Sequence, residues 1–222
     1  MIDWGDEVKP RAAHKGISGI DKILKYARIG DIESVKLSVS NRPELLHGFS
    51  RGHNRSLAWE AIRGNRLEVL EYLIESGAEL NIPGRIRSEI QVLLQPICIG
   101  IRYRRNELVV LLRSCGITED FYTKCFLGDL GEVKKAVKEN PELINNEVEF
   151  DTVWRVTALH YAVAGQNLNV VEYILSQGAE VHAYSRLLLN ICARQKSGEM
   201  YNLLLESGIN ESYIEKWYQH QV

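Results

Sequence analysis

TALHYAVAGQNLNVVEYILSQGAEV, residues 157–181, decides how this chain is read. Thr157 followed by His160 could belong to a proton relay or to the opening turn of a helix, and the choice depends on whether the stretch is unique. It is not. Residues 56–80, SLAWEAIRGNRLEVLEYLIESGAEL, match it in register. QPICIGIRYRRNELVVLLRSCG (95–116) and LLLNICARQKSGEMYNLLLESG (187–208) align with both without a gap. YARIGDIESVKLSV from 26 and KCFLGDLGEVKKAV from 124 share the inner part, and each leaves through a Pro-Glu-Leu exit, NRPELL and NPELI. Six repeats result, and self-similarity at such a period marks a stacked array. Repeat one resembles four, two resembles five, and three more loosely resembles six, as in a copied triplet.

The local pattern predicts two helices per repeat. A first helix of about eight residues ends near a Gly or polar residue, as at Gly30, Asn65, Gly128 and Gly198. A second follows with apolar residues at helical spacing, such as Val170, Val171, Ile174 and Leu175, which gives one apolar stripe. Gly77, Gly116, Gly178 and Gly208 come after its last turn, where a left-handed residue is wanted and glycine adopts it without steric cost. A lone pair of short helices cannot bury its apolar face, so the repeats must stack side by side into a solenoid.

TALHYA followed by NVVEYILSQGAEV resembles the ankyrin repeat, whose signature is Thr-Pro-Leu-His-x-Ala. Repeat two keeps the spacing with Ser56, Leu57, Ala58 and Trp59; repeat three keeps Pro96 and puts Cys98 where the His would be; repeat six reads LLLN. Repeats one and four lack the signature and are similar to the divergent form with Gly-Asp and a Pro-Glu-Leu exit. The resemblance covers roughly residues 20–210. It implies an all-α, ankyrin-type helix-turn-helix solenoid with short finger loops. The repeats are expected at about 21–50, 51–82, 83–117, 118–150, 151–182 and 183–210, with a cap segment over 1–19 and a C-terminal capping helix or tail over 211–222. It also implies that Thr157 and His160 are structural, bonding locally at the start of a first helix, with Thr157 as N-cap.

The connections differ. That from Gly77 to repeat three is long, with NIPGRIRSEIQVLL over 81–94, whereas ITED alone separates Gly116 from repeat four. Long ordered loops are often functional. The short connection at 117–119 marks a seam between the triplets, and with no Pro/Gly/Ser linker there, stacking is expected to continue across it. Tyr213 and Trp217, four apart, are expected to lie over repeat six.

Composition sets the remaining bounds. The 222 residues are 45% hydrophobic and 25% charged, as in soluble globular chains. The formal charge of −2 conceals +4 over residues 1–117 and −6 over 118–222. No leader opens the chain and no apolar run reaches the ~18 residues of a membrane span, so a cytoplasmic protein is expected, with signal-independent delivery to another cell left open. Cys98, Cys115, Cys125 and Cys192 have no metal-ligand spacing and read as reduced core thiols. No phosphate loop, HExxH, Cys-x-x-C or Gly-x-Ser-x-Gly is present. Glu119 and Asp120 sit where a helix start would use their charge. Neither a catalytic residue nor a cofactor or metal is expected.

Recognition remains. The resemblance implies that partner-facing positions are the finger tips and the exposed end of the first helix, which line one concave face. Counting the Thr position as the first, the eighth is Arg28, Arg63, Arg102 and Arg194 in repeats one, two, three and six. Finger positions add Arg51, Arg55, Arg85, Arg87, Arg155 and Arg186, with Tyr103, Trp154 and Tyr184 interleaved. Arginine and aromatic side chains dominate binding hot spots. The expectation is a non-catalytic protein–protein interaction module, monomeric alone, that docks an acidic surface of another protein as an inhibitor, immunity protein or adaptor. Alternatives are a regulatory subunit of an enzyme system or a nucleic-acid groove; the negative total charge and the lack of a Lys-rich stripe oppose the latter.

Overall fold

Each repeat is made by the same local decisions. In the computed structural model, which describes residue 17 and residues 19–50, 53–86, 90–151, 154–181 and 185–209, the chain divides into two compact units. Of the described residues, one comprises those within 17–86 and 93–118, the other 90–92 and those within 119–209.

The first unit holds α1 (Ile20–Ile29), α2 (Ile32–Asn41), a 3-10 turn (Pro43–His47), α3 (Leu57–Gly64), α4 (Leu67–Glu75), β1 (Gly84–Ile86), α5 (Pro96–Arg102) and α6 (Asn106–Ser114). The strand β2 (Ile90–Leu94) precedes α5. The long 81–94 connection is thus partly β-structure, with Ile82, Ile86, Val92 and Leu94 buried. The second unit holds α7 (Phe121–Leu127), α8 (Leu130–Glu139), a 3-10 turn (Pro141–Ile144), β3 (Val148–Asp151), β4 (Trp154–Val156), α9 (Ala158–Ala164), α10 (Leu168–Ser176), α11 (Ser185–Gln195) and α12 (Gly198–Glu206). β3 and β4 pair antiparallel, Val148 opposite Val156, with an irregularity between Glu149 and Asp151. The cap and tail expected at the ends lie outside the described residues, apart from Ile17 and Gly19.

The first helices of repeats two and five are buried nearly all round: every residue of α9 is buried, as are Leu57 to Ile62 of α3. Second helices bury one stripe, Val69, Leu70 and Leu73 in α4 and Val170, Val171 and Ile174 in α10. Within each unit the first helices pack on one another, α1 on α3 on α5 and α7 on α9 on α11. The two Pro-Glu-Leu exits are the 3-10 turns, with proline at the first position, where its fixed φ suits the turn and its missing N–H has no partner to lose.

Between the helices of each hairpin one residue is left-handed, in the same register throughout: Gly30, Asn65, Arg104, Gly128, Gln166 and Lys196. The sequence reading assigned Gly198 to the turn in repeat six. It is instead the first residue of α12, because Ser197 takes the N-cap position and the left-handed residue precedes it. Gly77, Gly116, Gly178 and Gly208 all have φ between 69° and 90°, the conformation expected after the second helix.

The triplets repeat details beyond sequence similarity. Asp31 caps α2 through the Ser34 N–H, and Asp129 caps α8 through the Glu132 N–H. Lys36 lies 5.8 Å from the Tyr72 ring centroid, and the equivalent Lys134 lies 5.5 Å from that of Tyr173. Arg66 Nε donates to the Arg28 carbonyl at 3.1 Å, and the equivalent Asn167 Nδ2 to the Phe126 carbonyl at 2.6 Å.

Candidate functional site

His160 is a structural group. It is 1% exposed. Its Nδ1 accepts the Thr157 backbone N–H at 3.1 Å and lies 3.1 Å from Thr157 Oγ1, closing a capping box at the start of α9. The Thr157 hydroxyl beside it is itself buried and taken up by the capping box, whereas a relay needs an attacking group open to substrate beside the base. His160→Ala is expected to cost about 2 kcal/mol, because the buried Thr157 N–H loses its acceptor. His160→Gln, whose side-chain oxygen can take the same bond, is expected to recover part of that in urea unfolding.

The ionisable groups near the start of α7 are equally unsuited to chemistry. Asp120 caps the helix by accepting the Thr123 N–H at 2.6 Å, while burial raises its pKa above the ordinary carboxylate value. Burial also raises Tyr122 to about 12, and pushes up the Cys125 thiol, with the Asp120 charge adding to it. Activated nucleophiles require the opposite shift.

Three of the four cysteines are core residues, and the fourth corrects the sequence reading: Cys115 is exposed. It caps the C-terminus of α6, immediately before Gly116, and that turn faces solvent although the surrounding sequence is apolar. Burial meanwhile pushes Cys192 up to about 12. Iodoacetamide at mildly alkaline pH is therefore expected to modify Cys115 in the native protein, and all four cysteines only in denaturant. Intact-mass and peptide-mass spectra check this, and rapid native labelling of Cys98, Cys125 or Cys192 would contradict the burial described.

The arginines resolve into different situations. Arg55 and Arg63 gather in the first unit around Trp59 and Glu60, neither of which is among the partner-facing residues expected from the sequence, and Arg28 acts on Arg55 electrostatically. Trp59 is fully buried and Glu60 is 4% exposed. The Arg55 guanidinium lies 4.8 Å from the indole centroid and that of Arg63 lies 5.7 Å from it. Arg55 Nη1 donates to Glu60 Oε1 at 3.2 Å, and Arg55 Nε to the Arg85 carbonyl at 2.9 Å. Arg63 Nη1 is 3.9 Å from Glu60 Oε2. Burial, and then the like charges of Arg63 and Arg28, lower the Arg55 pKa, with Glu60 opposing them.

Backbone geometry builds this cluster. Ser56 Oγ accepts the Trp59 N–H at 3.2 Å and so starts α3. Arg85 N donates to the His53 carbonyl at 2.8 Å, which brings β1 beside the Arg55 segment. A Cβ on Gly84 would approach Trp59 Nε1 to 2.8 Å. Only glycine lets the connection lie against the indole.

Arg102 and Tyr103 are half-buried at the end of α5, and Arg186 and Arg194 are exposed on α11. Trp154 and Arg155 are placed by their backbone in β4. Arg51, Arg87 and Tyr184 lie outside the described residues. The signal that could have revealed Trp59 and Glu60 is spacing: Trp59 precedes Arg63 by four residues and Glu60 precedes it by three, which places the three together on α3, while Arg55 lies just ahead of the helix cap.

The family model for ankyrin repeats, in three copies, matches residues 125–213. Residues 125–213 are thus a run of ankyrin repeats. Such repeats indicate a protein–protein interaction module. A protein of Arabidopsis thaliana named "Putative E3 ubiquitin-protein ligase XBAT31" is 25% identical over 201 residues, covering 84% of this chain and 37% of that protein. Palmitoyltransferase AKR1 of Saccharomyces cerevisiae is 36% identical over 63 residues, 28% of this chain and 8% of that protein. The chain thus spans well under half the length of either relative, and the ligase and transferase activities are named for those proteins. Among the described residues no helix is long and apolar enough to cross a membrane, and no group of three His, Cys, Asp or Glu side chains could hold a metal ion.

Proposed function

We propose that this ankyrin array is a non-catalytic docking protein that seats an acidic surface of a partner protein on the first-helix and finger face of its N-terminal repeats. One observation carries the reading. Two guanidinium groups, Arg55 and Arg63, pair with the one carboxylate of Glu60 and Arg28 acts on Arg55 electrostatically, which leaves the cluster positive in a chain of net charge −2. Such local excess steers and orients a complementary surface. Arginine beside aromatic rings is also the composition of binding hot spots. Inhibitor, immunity and adaptor roles are all consequences of covering a partner in this way. The cytoplasm is the compartment proposed, since it keeps free thiols reduced, and the array acts as a monomer.

Affinity capture from native extract followed by cross-linking mass spectrometry tests this, with the full chain and its Arg63→Glu plus Arg102→Glu variant. A protein retained in stoichiometric amount, cross-linked next to its own Asp- or Glu-rich surface, and lost from the variant supports the reading. Retention that ignores the variant, or recovery of nucleic acid in place of protein, overturns it.

A further inference from the structure

We propose that Arg63, with Arg28 beside it, is the receptor for a single carboxylate side chain of an acidic polypeptide segment, and that Arg55 and Glu60 are the positioning residues that hold it. This inference rests on the docking reading above and names the group that is recognised.

The two arginines next to Trp59 are not equivalent. Arg55 is committed: its Nε is used by the Arg85 carbonyl, its Nη1 by Glu60, and its flat face by the indole. Its side chain is 16% exposed. Arg63 has Glu60 Oε2 at 3.9 Å, an ion pair beyond hydrogen-bond length, and that buried oxygen accepts no hydrogen bond. The indole ring and the carboxylate thus orient Arg63, while its five N–H donors remain largely available. Its side chain is 22% exposed.

Arg28 stands at the same register position one repeat earlier and is exposed. Its neighbourhood to α3 is close, since its own carbonyl accepts from Arg66 Nε at 3.1 Å. Ile29, next to it, is 52% exposed and offers an apolar flank. A further carboxylate reaching this place would relieve the repulsion among the guanidinium groups and could pair with a planar fork through two parallel bonds. A phosphate backbone fits less well, because its binding draws on a row of many cations and the cluster is compact.

Fluorescence anisotropy of a labelled decaglutamate peptide titrated with the full chain tests the proposal. Saturable binding is expected, weakened about tenfold by Arg63→Gln. Arg63→Lys, which keeps the charge and loses the fork, is expected to weaken it about threefold. Lys138→Gln, the same charge change on the exposed side of α8, should leave it unchanged, and circular dichroism establishes that each variant is folded. Binding by the parent that Arg63→Gln leaves intact sinks this inference while acidic docking survives on other arginines. Binding that Arg63→Lys fully preserves overturns the paired-bond receptor in favour of a general field. Equal competition by inorganic phosphate or a ten-residue oligothymidylate overturns the carboxylate assignment. Absence of any decaglutamate binding overturns both this inference and the acidic-surface reading beneath it.

Discussion

Gly64→Ala is expected to destabilise the N-terminal repeats by about 3 kcal/mol, although the same exchange in an isolated helix stabilises it by about 1 kcal/mol. The sign reverses because of what lies opposite. A Cβ at position 64 would fall well inside contact distance of the Arg28 carbonyl oxygen, and close to the carbonyl carbon at 2.8 Å. The obstacle is backbone at the end of α1, so no rotamer change can yield. Either α1 and α3 separate, with the loss of the Arg66 bond to the same carbonyl and of packing around Ala27, Ala61 and Ile62, or the end of α3 unwinds. The C-terminal repeats carry the same constraint. A Cβ on Gly165 would strike the Phe126 carbonyl and approach Asn167 Nδ2 to 2.5 Å, so Gly165→Ala should cost a similar amount. Gly131→Ala is the control. Its nearest neighbour would be Asp129 Oδ1 at 3.7 Å, in ordinary contact, and it should be neutral or slightly stabilising. Urea midpoints at constant slope read all three. Were Gly64→Ala as stable as the parent, the close approach of α1 and α3 would be wrong.

That close approach shows where reading the sequence succeeds and where it stops. The register of the repeats, the left-handed glycines after each second helix and the Thr157–His160 pair follow from rules spanning a few residues, and such rules leave visible patterns in a sequence. Gly64 and Gly165 obey a different demand, set by a carbonyl more than thirty residues earlier, and in the sequence they resemble any glycine near a helix end. Glu60 was hidden for another reason. Periodicity separates buried from exposed positions only on a helix with a solvent face, and α3 is buried almost all round, so a charged residue in it looks like surface. Cys115 erred in the opposite direction, its apolar neighbours suggesting a core although it caps an exposed turn. Of the residues expected to face a partner, register puts Arg28 and Arg63 at the same position of successive repeats. It could not show that Arg55 is committed to Glu60, Trp59 and the Arg85 carbonyl, because two of those partners are not in the signature and the third is a backbone group thirty residues away.

The second large effect is expected at Glu60 itself. Glu60→Ala should cost about 3–5 kcal/mol, the range for removing one partner of a buried ion pair. The loss is greater than that of a contact. Arg55 and Arg63 lie on the same indole, and without the carboxylate between them two partly buried guanidinium groups face each other with Arg28 adding to the field. Glu60→Gln keeps the shape and an oxygen for Arg55 Nη1, so it should cost less, about 1–3 kcal/mol for a charged hydrogen bond made neutral. A third variant separates electrostatics from packing. Replacing the pair together, Arg55→Met with Glu60→Leu, removes the unpaired charge along with its partner and should be more stable than Glu60→Ala alone, since apolar replacements of buried pairs are often near neutral. Thermal unfolding orders the three. If Glu60→Ala were no worse than a surface substitution, the carboxylate would be dispensable to the cluster, and the orientation of Arg63 on which carboxylate recognition depends would have to come from the Trp59 ring alone.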